Sequence, residues 1–178
     1  MSGRSAEETH ADICANGVDR RGVFVQRYGS AALDASLLLM PLLRFLPPEG
    51  PGIRATVLAI ADELSVDGFV QRYRVEETDD GIGEPEATFT LCSFWLVSTL
   101  SEIGEHRHAR EVCEKLLSNA SQLELYAEDI DPRTGRHLGN VPQAFTHLAL
   151  INAVMHVIRT EQTVAHEWSR GAADRLVF

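Results

Sequence analysis

The sequence predicts an all-α fold of helical hairpins in two layers, with long loops gathered at one end. Three observations lead to this prediction. Apolar residues recur at helical spacing along almost the whole chain, amphipathic helices alternate with helices that are apolar all round, and short links alternate with long ones. An amphipathic helix faces water on one side, whereas an apolar helix needs neighbours on several sides. The two kinds therefore belong to an outer and an inner layer.

Three segments have the amphipathic pattern expected of outer helices. Residues 53–65 and 105–118 each carry one apolar stripe opposite a charged face. Residues 6–16 are a weaker example, and the segment ends at Gly17, a residue type that commonly follows a helix.

Three other helical segments, 31–46, 88–103 and 143–158, show no clean polar face. Helices of this kind pack on several sides, so we assign them to the inner layer. The order along the chain is therefore outer, inner, outer, inner, outer, inner.

The links between these helices have two lengths. Each inner helix is joined to the next outer helix by a few residues, which makes the two adjacent and antiparallel. The links that lead into inner helices are long and cover residues 17–30, 66–87 and 119–142. Because all three precede an inner helix, we expect them at the same end of the assembly, and loops of this length are usually functional.

The pentapeptide FVQRY occurs twice, at residues 24–28 and 69–73, once in each of the first two long loops. Each copy follows a turn signal and alternates as a short strand does. The preferred interpretation is a repeated structural segment at the rim of the assembly, and in the third loop we expect RHLGN at the equivalent position. Direct contact with a ligand is the alternative, through Arg27, Arg72, Tyr28 or Tyr73.

Composition argues against some classes of partner. The net charge is -10 at pH 7, which disfavours nucleic acid and membrane surfaces because both attract clustered Lys and Arg. The three cysteines, Cys14, Cys92 and Cys113, form no CxxC pair, so we expect buried free thiols and a cytoplasmic location. From the sequence we expect neither a secretory leader nor a membrane span, because no basic-then-apolar start and no apolar run of membrane-spanning length occur in it.

Carboxylates crowd the second and third long loops. The stretch VEETDDG holds Glu76 and Glu77, and YAEDIDP holds Glu128. Converging carboxylates suit glycosidic hydrolysis, with one as acid and another as base or nucleophile, although a solvated acidic loop explains the same composition. We expect no cofactor and no metal, because DxDxDG spacing, HExxH and GxGxxG are all absent.

One stretch is far more specific. Residues 125–153, LYAEDIDPRTGRHLGNVPQAFTHLALINA, resemble the C-terminal part of the catalytic domain of glycoside hydrolase family 15, the glucoamylase, glucodextranase and bacterial trehalase family. The resemblance extends back through ATFTLCSFWL, RYRVEETDDG and YGSAALDASLLLMP, and so covers nearly the whole chain. It implies roughly the C-terminal half of an (α/α)6 barrel over residues 1–160, with a helical tail over residues 161–178.

Carried over by position, the resemblance makes Glu128 the catalytic general base, which would activate the water that attacks the anomeric carbon with inversion. Contacts with sugar hydroxyls are implied at four further loop positions, namely Asp34, Arg74, Glu76 and Glu77. Asn140 and Gln143 are expected to hold the loop against the last inner helix.

The general acid of this family lies upstream, in a GIWE-type motif on a segment that this chain does not contain. Inversion requires both carboxyl groups, roughly 6.5–9.5 Å apart, so we expect the chain alone to be almost inactive. A half barrel also leaves inner helices uncovered, which predicts exposed apolar surface.

The sequence thus predicts the base-bearing half of an inverting α-glucosidase. Its substrate would be an oligosaccharide or disaccharide, and its partner the missing N-terminal half or a second copy. The alternative is a non-catalytic helical-hairpin module that binds carbohydrate or a partner protein, and an epimerase is a distant third.

Overall fold

The computed structural model describes residues 5–74 and 88–173. The helices of this part are α1 Ala6–Asn16, α2 Leu39–Leu42, α3 Ile53–Glu63, α4 Thr90–Glu102, α5 His106–Leu117 and α6 Ala144–Ala173. The strands are β1 Ser65–Val66, β2 Phe69–Val70, β3 Thr88–Phe89, β4 Asp129–Ile130 and β5 His137–Leu138.

The helices form two layers, as the sequence predicts. Helix α4 lies inside, where it packs against α6 and α5, and it also contacts α2 and α3. Ten of its thirteen residues are buried, in keeping with an inner helix. Outer helix α5 buries one stripe, formed by Ala109, Val112, Cys113 and Leu116. The alternation of apolar and amphipathic helices therefore reports the layer correctly, and the chain folds as part of an (α/α)6 barrel.

The first inner helix is much shorter than the predicted 31–46. A 3-10 turn, Ala35–Leu38, runs directly into α2, so the helical part covers only eight residues. Asp34 caps its start through its side chain. Pro41 has no amide hydrogen to donate to the preceding turn, and Arg44, with φ 58°, ends the segment. Ala32 and Leu33, just before Asp34, are buried but lie outside any helix.

The last inner helix is longer than predicted. Helix α6 does not stop at residue 158, because no proline or glycine interrupts the sequence from residue 144 until Gly171. The predicted boundary at residue 160 lies inside this helix, and the division into a domain and a tail stays a prediction. No helix in the described ranges combines the length and the apolar character needed to cross a membrane.

One face of α6 is apolar and open to solvent, which confirms the predicted exposed surface. Its side chains recur every three or four residues, so they form one stripe along the helix. The stripe consists of Phe145, Leu148, Ile151, Met155 and Ile158, each at least 41% exposed. The opposite face, with Ala149 and Ala153, is buried against α4. Helix α6 is therefore an inner helix covered on only part of its circumference.

Both FVQRY copies form short extended segments, as predicted. In the first copy, Phe24 forms an isolated antiparallel bridge with Val18. In the second, β2 pairs with β1 across a tight turn at Asp67 and Gly68, both of which have positive φ. The Phe-Val pair of each copy is buried, which supports the interpretation of a structural rim segment.

Each copy is also fixed to a neighbouring helix by one backbone amide. The N–H of Phe24 donates to Thr56 Oγ1 on α3 at 2.9 Å. The N–H of Val70 donates to Ser93 Oγ on α4 at 2.9 Å. The buried hydroxyl groups of Thr56 and Ser93 thus satisfy backbone amides that would otherwise be buried without a partner.

Candidate active site

The third long loop folds into a small antiparallel sheet at the N-terminal end of α4. Strand β4 lies between β3 and β5 and pairs with both. Because β3 leads directly into α4, the sheet ties this loop to the start of an inner helix. Glu128 immediately precedes β4 and is held at this end of the molecule.

The backbone of Glu128 is fixed on both sides. Its N–H donates to the carbonyl of Asn140 at 3.0 Å, and its carbonyl accepts from the N–H of Thr90 at 3.0 Å. Thr90 is the first residue of α4, and its amide has no partner within the helix. The position of Glu128 is therefore set by the inner helix itself.

The carboxylate of Glu128 is bonded through one oxygen only. Oε2 accepts from the side-chain amide of Asn140 at 2.9 Å and from the backbone N–H of the same residue at 3.3 Å. Oε1 has no hydrogen-bond donor among residues 5–74 and 88–173. Glu128 is partly exposed. The hydrogen bonds from Asn140 orient Oε2, whereas no residue in the described part of the chain donates to Oε1.

Tyr126, two residues before the carboxylate, anchors the loop in the core. Its hydroxyl donates to the carbonyl of Leu116 at 3.0 Å, and its ring meets Phe94 edge-on at 5.4 Å between centroids. Burial raises the pKa of Tyr126 to about 12, so the phenol stays a neutral donor. Its backbone N–H donates to Nε2 of His147 on α6 at 3.3 Å.

The second loop presents Arg72 where the third presents Glu128. The N–H of Ala35, the first residue of the 3-10 turn, donates to the carbonyl of Arg72 at 2.7 Å, just as that of Thr90 donates to Glu128. The prediction that RHLGN holds the equivalent position in the third loop is therefore wrong. The repeat aligns LYAE with FVQR, and RHLGN supplies the neighbouring strand β5 instead.

Arg72 lies beside Asp34, one of the predicted sugar contacts. Its Nε is 4.0 Å from Asp34 Oδ2, and its guanidinium lies 5.7 Å from the centroid of the Tyr73 ring. The other oxygen of Asp34 accepts from the N–H of Ser36 at 2.7 Å. Asp34 is 8% exposed, so it begins the first inner helix and leaves one oxygen toward Arg72. Its contact with a sugar stays a prediction.

The remaining predicted contacts lie elsewhere or outside the described residues. The guanidinium of Arg74 donates through Nε and Nη2 to the backbone carbonyl of Glu63, the last residue of α3. Glu76 and Glu77 fall in the range 75–87, outside the described residues. The structure therefore ties Arg74 to an outer helix, and the sugar contacts of all three residues stay predictions.

Asp131, another acid of the third loop, serves local structure. Asp131 accepts from the N–H of Arg133 at 3.0 Å and from the hydroxyl of Thr134 at 2.7 Å. The hydrogen bond from the Thr134 hydroxyl lowers the pKa of Asp131 most, and the hydrogen bond from the backbone N–H of Arg133 lowers it further. No cluster of three potential metal ligands forms in the described ranges. Asp131 thus stabilises the turn of its own loop.

Two residues, Asn140 and Arg72, make contacts that the sequence does not indicate. Asn140 was expected to hold the loop, but its side chain contacts the carboxylate of Glu128 directly. Arg72 was only an alternative ligand contact, but it is the ion-pair neighbour of Asp34. The GN pair before Val141 and the repeated RY pair are the signals that could have singled them out.

Helical hairpins around an inner layer, with long loops before the inner helices, are the architecture of part of an α/α barrel. Solved structures agree on the fold. A wild-type glycosidase superposes with a TM-score of 0.71 at 23% sequence identity, covering 85% of this chain and 43% of that one. A glycosidase variant in complex with glucose matches with a TM-score of 0.71 at 22% identity, over the same shares of the two chains.

Residues 3–155 match the model of glycosyl hydrolases family 15, and the chain belongs to that family. A trehalase of Mycolicibacterium smegmatis is 71% identical over 88% of this chain and 24% of that protein. A trehalase of Mycobacterium tuberculosis is 69% identical over 88% of this chain and 23% of its own length. A trehalase of Thermoplasma acidophilum is 40% identical over 82% of this chain and 25% of its length. The chain spans about a quarter of the length of these curated relatives.

Proposed function

We propose that this chain is the base-bearing, C-terminal part of an inverting glycoside hydrolase that acts on α-glucosides, with trehalose as substrate. The observation that carries the proposal is Glu128, a carboxylate fixed at the loop end of the inner layer with one oxygen oriented and the other without a donor among the described residues. The choice of trehalose rests on relatives that are named trehalases and are 71% and 69% identical.

In this mechanism, Oε1 of Glu128 accepts a proton from a water molecule as the water oxygen bonds to the anomeric carbon. The glycosidic C–O bond breaks on the opposite face of the sugar. A general acid protonates the departing oxygen, so the proton count balances and one glucose is released as the inverted anomer. We propose that this acid comes from a polypeptide segment other than this chain.

Charged side chains would hold the sugar. We assign contacts with its hydroxyls to Asp34 and Arg74 and, in the loop beyond them, to Glu76 and Glu77. Arg72 joins this set because it has the same backbone position in its loop as Glu128 and pairs with Asp34. Charged hydrogen bonds to hydroxyls suit a polar ligand that enters from water.

The test is glucose release from trehalose and maltose. We expect almost none from the chain alone, and activity once it is joined to the upstream part that we propose supplies the general acid. In that longer form, Glu128→Gln keeps the shape but loses the base, and it should abolish turnover. Asp131→Asn is the matched control, because Asp131 lies in the same loop but bonds only its own turn and a neighbouring arginine. Full activity in Glu128→Gln would refute the assignment.

The exposed stripe on α6 favours a second candidate, a non-catalytic module that binds a partner protein. Contiguous apolar surface of this kind marks an interaction site. The two proposals differ in outcome, because a module would stay inactive after the upstream part is restored.

All three cysteines are free thiols, which supports the proposal of a reducing, cytoplasmic compartment.

A further inference from the structure

We propose that Asn140 is a positioning residue, which orients the carboxylate of Glu128 so that Oε1 alone meets the attacking water. The inference rests on the proposed function, since it gives a role to a neighbour of the proposed base. It concerns one residue with two donors, its side-chain amide and its backbone N–H, that converge on the same oxygen.

The two donors define the rotation of the carboxyl group. The side-chain nitrogen lies 2.9 Å and the backbone nitrogen 3.3 Å from Oε2. A third link runs between the backbones, where Glu128 donates to the carbonyl of Asn140 at 3.0 Å. Hydrogen bonds to a charged acceptor are roughly twice as strong as neutral ones. Residue 140 therefore fixes both the main chain and one oxygen of residue 128.

Gly139 makes this arrangement possible. Its φ is +71°, a conformation that favours glycine, and a Cβ at this position would lie 2.9 Å from Oε2 and 3.0 Å from Cβ of Glu128. The loop can therefore pass close enough for the next amide to point at the carboxylate. Any larger residue would push the carboxylate away from the donors of Asn140.

The chemical consequence is a division between the two oxygens. An oxygen that already accepts two hydrogen bonds is a poor site for a further proton. No residue in the described part of the chain donates a hydrogen bond to Oε1. General-base catalysis needs the accepting oxygen within hydrogen-bond reach of the water. By holding Oε2, Asn140 keeps Oε1 turned toward the position of the water and reduces the time spent in unproductive rotamers.

The hydrogen bonds can be tested without activity, by NMR of the chain itself. Glu128→Ala removes the acceptor, so the backbone and side-chain amide resonances of Asn140 should both shift relative to the unsubstituted chain. The side-chain amide of Asn16 is an internal control, because it donates to a carboxylate oxygen of Asp12 at 2.9 Å and should keep its chemical shift in both proteins. Asn140 resonances that are identical in the two proteins would overturn the proposed contact.

The catalytic role is tested in the longer form that contains the upstream part. Asn140→Ala should lower kcat by about ten- to hundredfold, the loss expected for one charge-assisted hydrogen bond. KM should change by less than about threefold, because Asn140 acts on the base and not on the sugar. Asn140→Asp, which places a second carboxylate against Oε2, should lower kcat further. Asn16→Ala, which removes a bond of the same type and length far from the base, should leave both constants unchanged.

The outcomes separate the two proposals. If Glu128→Gln is inactive while Asn140→Ala retains the full kcat, the positioning role is wrong and the function stands. If Glu128→Gln is fully active, the proposed function fails and the catalytic role of Asn140 fails with it, whatever the NMR comparison gives.

Discussion

Replacing Ser93 by alanine tests how the second FVQRY segment is fixed to the inner layer. Ser93 and Val70 are both 0% exposed, and the hydroxyl accepts the N–H of Val70 at 2.9 Å. Alanine removes the acceptor and leaves a buried N–H without a partner, which costs about 1–3 kcal/mol. Alanine also favours the helix over serine by about 0.5 kcal/mol. We therefore expect the free energy of unfolding to fall by about 1–2 kcal/mol.

Ser98→Ala is the matched control on the same helix. Ser98 is 2% exposed, but its hydroxyl donates to the carbonyl of Phe94 one turn earlier at 3.2 Å. The substitution removes a hydroxyl of the same type without removing an acceptor from a strand amide, so unfolding should change by less than about 0.5 kcal/mol. Urea unfolding followed by circular dichroism gives both values, and thermal midpoints should fall by about 2–4 °C per kcal/mol. Equal losses in the two variants would refute the anchoring role of Ser93.

Three further changes have defined outcomes. Gly139→Ala places a side chain on a residue with φ +71°, and its Cβ would lie 2.9 Å from Oε2 of Glu128. The substitution should lower the free energy of unfolding by about 1–2 kcal/mol, and it should also lower the turnover of the longer form. Gly135→Ala is the control, because φ is +68° but the added Cβ would lie 3.4 Å from its nearest neighbour. It should lower stability without lowering turnover, and equal turnover in the two glycine variants would contradict this reasoning. Leu148 lies on the exposed stripe of α6 and is 58% exposed. Leu148→Gln should therefore change the free energy of unfolding in urea by less than about 0.5 kcal/mol, and it should reduce binding of an apolar dye. Unchanged dye binding would argue against the stripe as the exposed surface. Burial lowers the pKa of His156 in the folded protein below its usual 6.5. As the pH falls, this histidine is therefore protonated in the unfolded protein at a higher pH than in the folded protein. Stability should therefore decline as the pH falls below about 6.5, with a smaller slope for His156→Gln, and identical slopes would exclude this group.

The layer order could be predicted from the sequence because burial leaves a periodic trace. The stripe of α5 faces the core as its spacing indicates, and the all-round apolar sequence of α4 is that of an inner helix. The same logic failed at residues 31–46, because an apolar run is equally compatible with a buried extended chain. Asp34 and Pro41 were the local signals that limited the helix there, one as its cap and the other as a residue without an amide hydrogen.

The candidate site was less predictable, because its contacts join residues that are distant in sequence. The motif around Glu128 identified the candidate base, but the closure of the loop that brings Asn140 onto its carboxylate depends on the three-stranded sheet. The pairing of Asp34 with Arg72 spans two repeats. Periodicity describes one element at a time and does not specify which side chains meet across two loops.

The matched backbone hydrogen bonds of Arg72 and Glu128 have an evolutionary consequence. In both repeats the attachment uses only main-chain atoms, an amide at the start of an inner helix and a carbonyl of the following loop. The identity of the side chain at that position is then free to change while the scaffold is retained. One repeat unit can carry a cation and the next an acid, and duplication of a single hairpin followed by point substitution is enough to diversify the chemistry of such a ring.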